Sequence, residues 1–235
     1  VHIIPTGIEV ERFYLSNCSI KKINQLRSDY NIKPSDFVIL FVGRLGEEKS
    51  VDILIESQDY FRKINKQSKL LLVGDGPDMD KYKKMVKKLK LSDNVIFTGK
   101  VPWEEVPCYY QLANVFATAS RTETQGLTVI EALAASLPVV AANDPSFLSI
   151  VVDDLNGYLF KNKRQYKKII EKLMSEPEKL KKLSNQAKIS SERYSSRYFA
   201  ERVLDVYNLA LSGRKKSQNF FEKMKNVIKR GIHDK

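Results

Sequence analysis

From residue 36 to residue 160 the chain alternates short apolar runs with longer stretches whose apolar positions recur at helical spacing. Phe37 to Val42, Lys69 to Val73, Asn94 to Phe97, Val115 to Thr118 and Pro138 to Ala141 are strand-like. They do not alternate apolar with polar. They are apolar almost throughout, as strands covered on both faces are. Between them, Val51 to Ile64, Met79 to Leu89, Val106 to Leu112 and Leu127 to Ala135 carry the periodicity of amphipathic helices. Strand and helix in turn predict βαβ units and an α/β fold, a doubly wound parallel sheet. A helical C-terminal segment follows, over Arg164 to Met174, Pro177 to Glu192 and Ser195 to Leu211, with Pro177 at an early helical position.

Ligands of such a sheet lie beyond the carboxyl ends of its strands. Gly43, Gly74, Gly99 and the loop from Ser120 to Gln125 fall there. After the first strand, Gly43-Arg44-Leu45-Gly46-Glu47-Glu48-Lys49 offers a fork-shaped and a point-like cation, suited to a diphosphate. The competing reading is that Arg44 and Lys49 are solvated surface. Gly74-Asp75-Gly76 is a tight strand-to-helix turn more readily than a ligand contact, since the full G-x-G-x-x-G fingerprint is absent. Trp103, the single tryptophan, is read as core or the start of a helix ahead of a stacking partner.

The most informative stretch is Thr122-Glu123-Thr124-Gln125-Gly126-Leu127-Thr128-Val129-Ile130-Glu131. A helix beginning after Gly126 presents free N–H groups and partial positive charge, a fit for an anion. Glu123 stands in the loop before it, and Glu131 inside an otherwise apolar helix, where a carboxylate is costly unless satisfied. Carboxylates beside an anion site suit sugar hydroxyls, and a nucleotide-sugar supplies both a diphosphate and hydroxyls. Capping of a neighbouring loop or pairing with a lysine would also account for Glu131.

Composition adds one unusual fact: the 235 residues carry a net charge of +12, which points to an anionic partner. Two cysteines far apart, Cys18 and Cys108, argue for a reducing compartment and no disulfide framework. Histidines stand only at positions 2 and 233, which argues against a His-based triad and a Cys/His zinc site. No run reaches the ~18–20 apolar residues of a membrane span. The first residue is Val1 rather than Met, so a native start upstream is expected and targeting stays open.

Taken in order, these residues resemble the C-terminal, donor-binding domain of a retaining glycosyltransferase of the GT-B type, more narrowly family 4 with its E-x7-E motif. The resemblance runs over Pro5-Thr6-Gly7-Ile8, the Gly-Arg…Lys loop, Gly-Asp-Gly-Pro, Phe97-Thr98-Gly99, Glu123 with Glu131, Leu137 to Ala141 and Asn156-Gly157. It implies a Rossmann-like half of a GT-B fold over 1–212 and an N-terminal acceptor domain that is absent; residues 213–235 read as a basic amphipathic tail. By this resemblance Arg44 and Lys49 hold the donor diphosphate and, with Glu123 on the hexose hydroxyls, form the catalytic set. The backbone of Lys100 and Val101 meets the nucleobase; the backbone of Gln125, Gly126 and Leu127 meets sugar or phosphate; Glu131 takes the ribose hydroxyls; Gly43 and Thr124 complete the donor-binding set. No metal and no cofactor is implied, the UDP-sugar being substrate, because basic residues and the helix dipole stabilise the leaving group. Two segments depart from the family pattern: Thr124-Gln125 within the E-x7-E loop, and Pro145 to Ser149 after the fifth strand.

The Thr-Glu-Thr-Gln-Gly-Leu-Thr wording is similar to bacterial enzymes that glucosylate diacylglycerol from UDP-glucose. That implies a cytoplasmic enzyme, peripheral on the inner face of the cell membrane, with this fragment inactive alone. A soluble or cell-wall acceptor is the alternative within the fold. A nucleic-acid-binding module is the alternative outside it, against which stands the lack of any nucleic-acid motif, so no nucleic-acid partner is expected. The tail carries eight basic residues and two acids, a net +6, around a stripe of Phe220, Phe221, Met224, Val227, Ile228 and Ile232. Such a stripe fits an anionic membrane surface or the missing domain.

Overall fold

The computed structural model describes residues 2–212. Six parallel strands form one sheet: β1 (Phe37–Val42), β2 (Ser68–Val73), β3 (Val95–Gly99), β4 (Val115–Thr118), β5 (Val139–Ala142) and β6 (Gly157–Phe160). Their order is β3-β2-β1-β4-β5-β6. The chain winds from β1 out to β3, crosses back to β4, and winds the other way to β6. β1 and β4 are therefore neighbours whose following loops leave in opposite directions, opening a crevice between them. Pairing reinforces this. β1 and β2 are in register from Phe37–Ser68 to Val42–Val73, whereas β1 meets β4 only at Ile39–Val115 and Leu40–Phe116.

Successive side chains of each strand feed opposite cores. Val38, Leu40, Leu71, Phe116 and Val139 face one layer, with α1 (Ile20–Asp29), α4 (Val106–Tyr110), α5 (Leu127–Ala134) and Ala187 of α7 (Pro177–Ser191). Ile39, Phe41, Leu70, Leu72, Val115 and Val140 face the other, with α2 (Val51–Ile64), α3 (Met79–Lys88) and α6 (Lys163–Ser175). Burial on both faces is the reason these strands read as apolar throughout. A last helix covers residues 196–212.

The apolar pattern predicts neither α1 nor β6. α1 buries only Leu26, so its helical stripe is thin, though Ser19 caps it by accepting from the Lys22 N–H at 3.2 Å. β6 is four residues long and opens on a glycine. The thiols expected to be free are joined instead: Cys18 and Cys108, 90 residues apart, form a disulfide. α1 and α4 pack against each other and bring the two Cα atoms to 5.5 Å, a proximity that sequence separation hides. Trp103 is not core either, being 61% exposed. Among the described residues no helix is long and apolar enough to cross a membrane. The basic tail expected over 213–235 lies outside the described residues.

Candidate functional site

A cavity of about 820 Å³ occupies the crevice between β1 and β4. One wall is the end of β1 with Gly43, Arg44, Glu48 and Lys49; the other runs from Thr122 through Glu123, Thr124, Gln125, Gly126 and Leu127 to Thr128. The first wall is built locally. A 3-10 turn, Glu47–Lys49, follows β1, and Ser50 in left-handed backbone (φ 48°) turns the chain into α2. Both cations of this wall face acids. Arg44 donates to the Glu48 carboxylate at 2.6 Å, and Lys49 is ion-paired with Glu123 across the crevice. Arg44 holds the Glu48 carboxyl below its usual range, second to a bond from Glu48's own backbone.

The second wall is the N-terminus of α5. Gly126 begins the helix at φ 61°, and a Cβ there would press on the Phe147 ring at 3.0 Å, so the position favours glycine twice over. No side chain caps this end, and Gly126, Leu127 and Thr128 line the cavity. A helix start of this kind favours negative charge. The Gln125 amide donates to the Thr6 hydroxyl at 2.9 Å, tying the loop to the beginning of the chain.

A smaller cavity of about 280 Å³ shares Val42, Gly43 and Arg44 with the first and continues to Gly74, Asp75, Lys100 and Val101. The two make one cleft along the carboxyl ends of β4, β1, β2 and β3. A Cβ on Gly74 would collide with the Gly43 carbonyl oxygen. The Leu45 N–H donates to the Asp75 carbonyl at 3.0 Å, and the Asp78 N–H to the Leu45 carbonyl at 3.0 Å. The Gly-Asp-Gly segment is thus a tight turn packed backbone to backbone on the preceding loop, while Gly74 also lines the cleft.

Glu131 lies elsewhere: it lines neither cavity. It sits on the second turn of α5, where the Tyr110 hydroxyl donates to its carboxylate at 2.7 Å. Burial pushes its pKa above the ordinary 4.5, opposed by the Tyr110 bond and the positive charge of Arg12. Its partner is a tyrosine, neither the lysine nor the loop backbone weighed from the sequence. Burial and the same carboxylate push the Tyr110 hydroxyl well above its usual range. The cleft therefore unites Gly43, Arg44, Lys49, Lys100, Val101 and the run from Glu123 to Leu127, but not Glu131, Gly99 or Ser120. Sequence reasoning gives no role to Glu48, Thr122 and Thr128 within the segments it singles out, and misses Tyr110, Arg12 and Thr118. Only Glu48, next to Lys49, carries a local signal.

Residues 22–190 match the family described as glycosyl transferases group 1. The chain belongs to this family. The alpha-monoglucosyldiacylglycerol synthase of Acholeplasma laidlawii is 37% identical over 205 residues, which are 87% of this chain and 52% of that protein. The chain thus spans about half the length of this curated relative. The crystal structure of Anabaena Alr3699/HepE in complex with UDP-glucose matches with a TM-score of 0.76 at 23% identity, over 88% of this chain and 57% of that one, a likeness of fold. The C-terminal domain of a group 1 family protein (LpcC) from Francisella tularensis matches at 25% identity and a TM-score of 0.69, over 80% of this chain and 99% of that domain. These comparisons bear out the Rossmann-like, GT-B reading of the fold.

Proposed function

We propose that this chain is the donor-binding domain of a retaining hexosyltransferase that uses a UDP-sugar, UDP-glucose first, and delivers the hexose to a membrane lipid such as diacylglycerol. The observation that carries the donor half is the cleft at the β1–β4 crevice, where Arg44, Lys49 and the uncapped start of α5 converge. The acceptor half rests on the relative from Acholeplasma, whose name states a monoglucosyldiacylglycerol product.

A diphosphate entering the cleft exchanges the Arg44–Glu48 and Lys49–Glu123 pairs for pairs with its own oxygens. Lys49 then offsets charge growing on the leaving diphosphate as the anomeric bond breaks, and Arg44 supports it from the more exposed side. Glu123, released from Lys49, becomes an acceptor for hexose hydroxyls. The amides of Gln125, Gly126 and Leu127, with Thr124, meet the sugar and phosphate. Gly43 and the backbone of Lys100 and Val101 take the nucleoside end, in the smaller cavity. Glu131 accepts from the ribose hydroxyls once the bound nucleoside reaches the second turn of α5.

Calorimetry of this chain with UDP, UDP-glucose, GDP and a DNA oligonucleotide tests the reading. UDP and UDP-glucose bind, with GDP weaker and DNA silent. Saturable DNA binding without UDP binding would overturn it.

A further inference from the structure

The segment after β4 has two sides. Thr118 and Thr122 line the β1–β4 cleft, while Ala119 and Arg121 line a separate cavity of about 310 Å³. The two cavities share no lining residue. Three neighbouring strands build the second one. β4, β5 and β6 end at Thr118, Ala142 and Phe160, and the chain just beyond them delivers Arg121, Asn143 and Lys161 to one rim. Ligands of a doubly wound sheet lie along this edge. The floor is apolar: Ala119, Ala142 and Phe160 are buried, at 0%, 5% and 3% exposure. Ile53, on the first turn of α2, is the side wall. The three rim residues are exposed. Between Ala119 and Arg121, Ser120 is wholly buried, and its hydroxyl has no hydrogen-bond partner among the described residues.

The charges of this cavity are open. In the β1–β4 cleft each cation of the first wall already faces an acid, Arg44 with Glu48 and Lys49 with Glu123. Among the described residues, neither Arg121 nor Lys161 has an ion pair. Acids close by in the chain are engaged elsewhere. Glu56, one turn on from Ile53 in α2, is taken by Lys163 at 2.6 Å, and Asp144 accepts from the Ser146 N–H at 3.0 Å. An anion entering here displaces no internal carboxylate. Two cations sharing a cavity repel, and an anion between them removes that repulsion.

We propose that this cavity binds the phosphate of a small phosphate ester, at a site separate from the donor cleft. The Arg121 guanidinium takes two phosphate oxygens as a fork, and the Lys161 ammonium takes a third as a point charge. The Asn143 amide donates to the ester oxygen or to a hydroxyl beside it. The apolar floor receives the carbon skeleton of the alcohol. At about 310 Å³ the cavity stands at the lower end of the roughly 300–1,000 Å³ of ligand pockets, which suits a group the size of glycerol phosphate better than a nucleotide. A free ester and a phospholipid headgroup present the same oxygens. The inference goes beyond the donor reading and does not depend on it.

The test uses the full chain, its double variant Arg121→Gln/Lys161→Gln, and a charge-matched control, Lys83→Gln/Lys84→Gln, at exposed positions of α3. Calorimetry with inorganic phosphate and glycerol 3-phosphate reads the free source. Flotation with vesicles of phosphatidylcholine, alone or with phosphatidylglycerol, reads the lipid source. Saturable binding of either soluble phosphate that falls roughly tenfold or more in the double variant, and not in the control, assigns the site to a free ester. With the soluble phosphates silent, a loss of phosphatidylglycerol vesicles in the double variant beyond that in the control assigns it to a headgroup. UDP affinity should hold its wild-type value in both variants. A loss of UDP in the double variant as large as its loss of phosphate would make the cavity part of the donor site and overturn the inference. No binding of phosphate or of anionic vesicles by the wild type, or an equal loss in the double variant and the control, would overturn it as well. If the double variant unfolds, Arg121→Gln and Lys161→Gln singly decide by the same readings.

Discussion

The two glutamates of the E-x7-E pair are one residue type in two opposed settings. Glu123 lies in a loop, about a fifth exposed, and is ion-paired with Lys49 across an open cavity. Glu131 lies eight residues on inside a helix, half-buried, with a neutral tyrosine hydroxyl as its direct partner and the positive charge of Arg12 opposing the effect of burial. The first is a charge that a ligand can displace by offering Lys49 a better anion. The second is a carboxyl whose burial favours its neutral form. On the proposed donor reading, an exchangeable pair suits the diphosphate and hexose, whose charge changes during transfer, and a fixed acceptor suits the ribose, which does not react.

The strongest attempt to break this comparison removes the rigidity of the buried side. Reducing the disulfide, or replacing Cys108→Ser, should cost about 2–4 kcal/mol in denaturant unfolding, as expected for a bond closing a long loop. An unchanged midpoint would mean that the segment before α1 is held by packing alone.

Next come the cations and the buried acid. Lys49→Ala should weaken UDP by about tenfold or more, the roughly 1.5–3 kcal/mol of a charge-assisted bond. Arg44→Ala should cost less, because its side chain is 62% exposed and its ion pair is solvent-screened. Glu131→Ala should weaken UDP itself, in line with a ribose contact. Calorimetry on the three variants ranks them; full affinity for UDP in both Lys49→Ala and Arg44→Ala would remove the diphosphate from this cleft.

Glu123→Ala sharpens the contrast because its expected effect on UDP is nearly nil, or a slight tightening as Lys49 is freed. Its loss should appear only in hexose use by the enzyme that contains this domain. A UDP defect in Glu123→Ala with none in Glu131→Ala would reverse the two roles.

The smallest effect concerns pH and stability. Burial holds the Glu131 pKa above 4.5 in the folded protein, so the fold keeps a proton that the unfolded chain has already released. Stability from this group therefore falls as pH rises through the window above 4.5, and the penalty is complete once pH exceeds the folded value. Glu131→Gln, which can still accept from Tyr110, should match wild type in acid and exceed it in melting temperature at neutral pH. A gain independent of pH would point to packing instead of charge.

The α/β class, five of the six strands and the loops that wall the cleft were legible along the chain. Buried parallel strands need uninterrupted apolar runs, and glycine marks the ends of the first three. Arg44, Lys49 and Glu123 were legible for a related reason: they stand within a few residues of those strand ends, and in a doubly wound sheet the strand ends are the site. α1 and β6 were not, because one buries a single leucine and the other is four residues long.

What only the tertiary structure decided are the pairings between distant residues. These include Cys18 with Cys108, Lys49 with Glu123, Tyr110 with Glu131, and Arg12 with Trp103. Apolar periodicity reports which face of an element is covered, and says nothing of which element covers it. The ionisation of Glu131, the partner that satisfies it and the cation that opposes its burial all depend on that second question. They were settled when the 3-10 turn Val10–Phe13, α4 and α5 packed against one another.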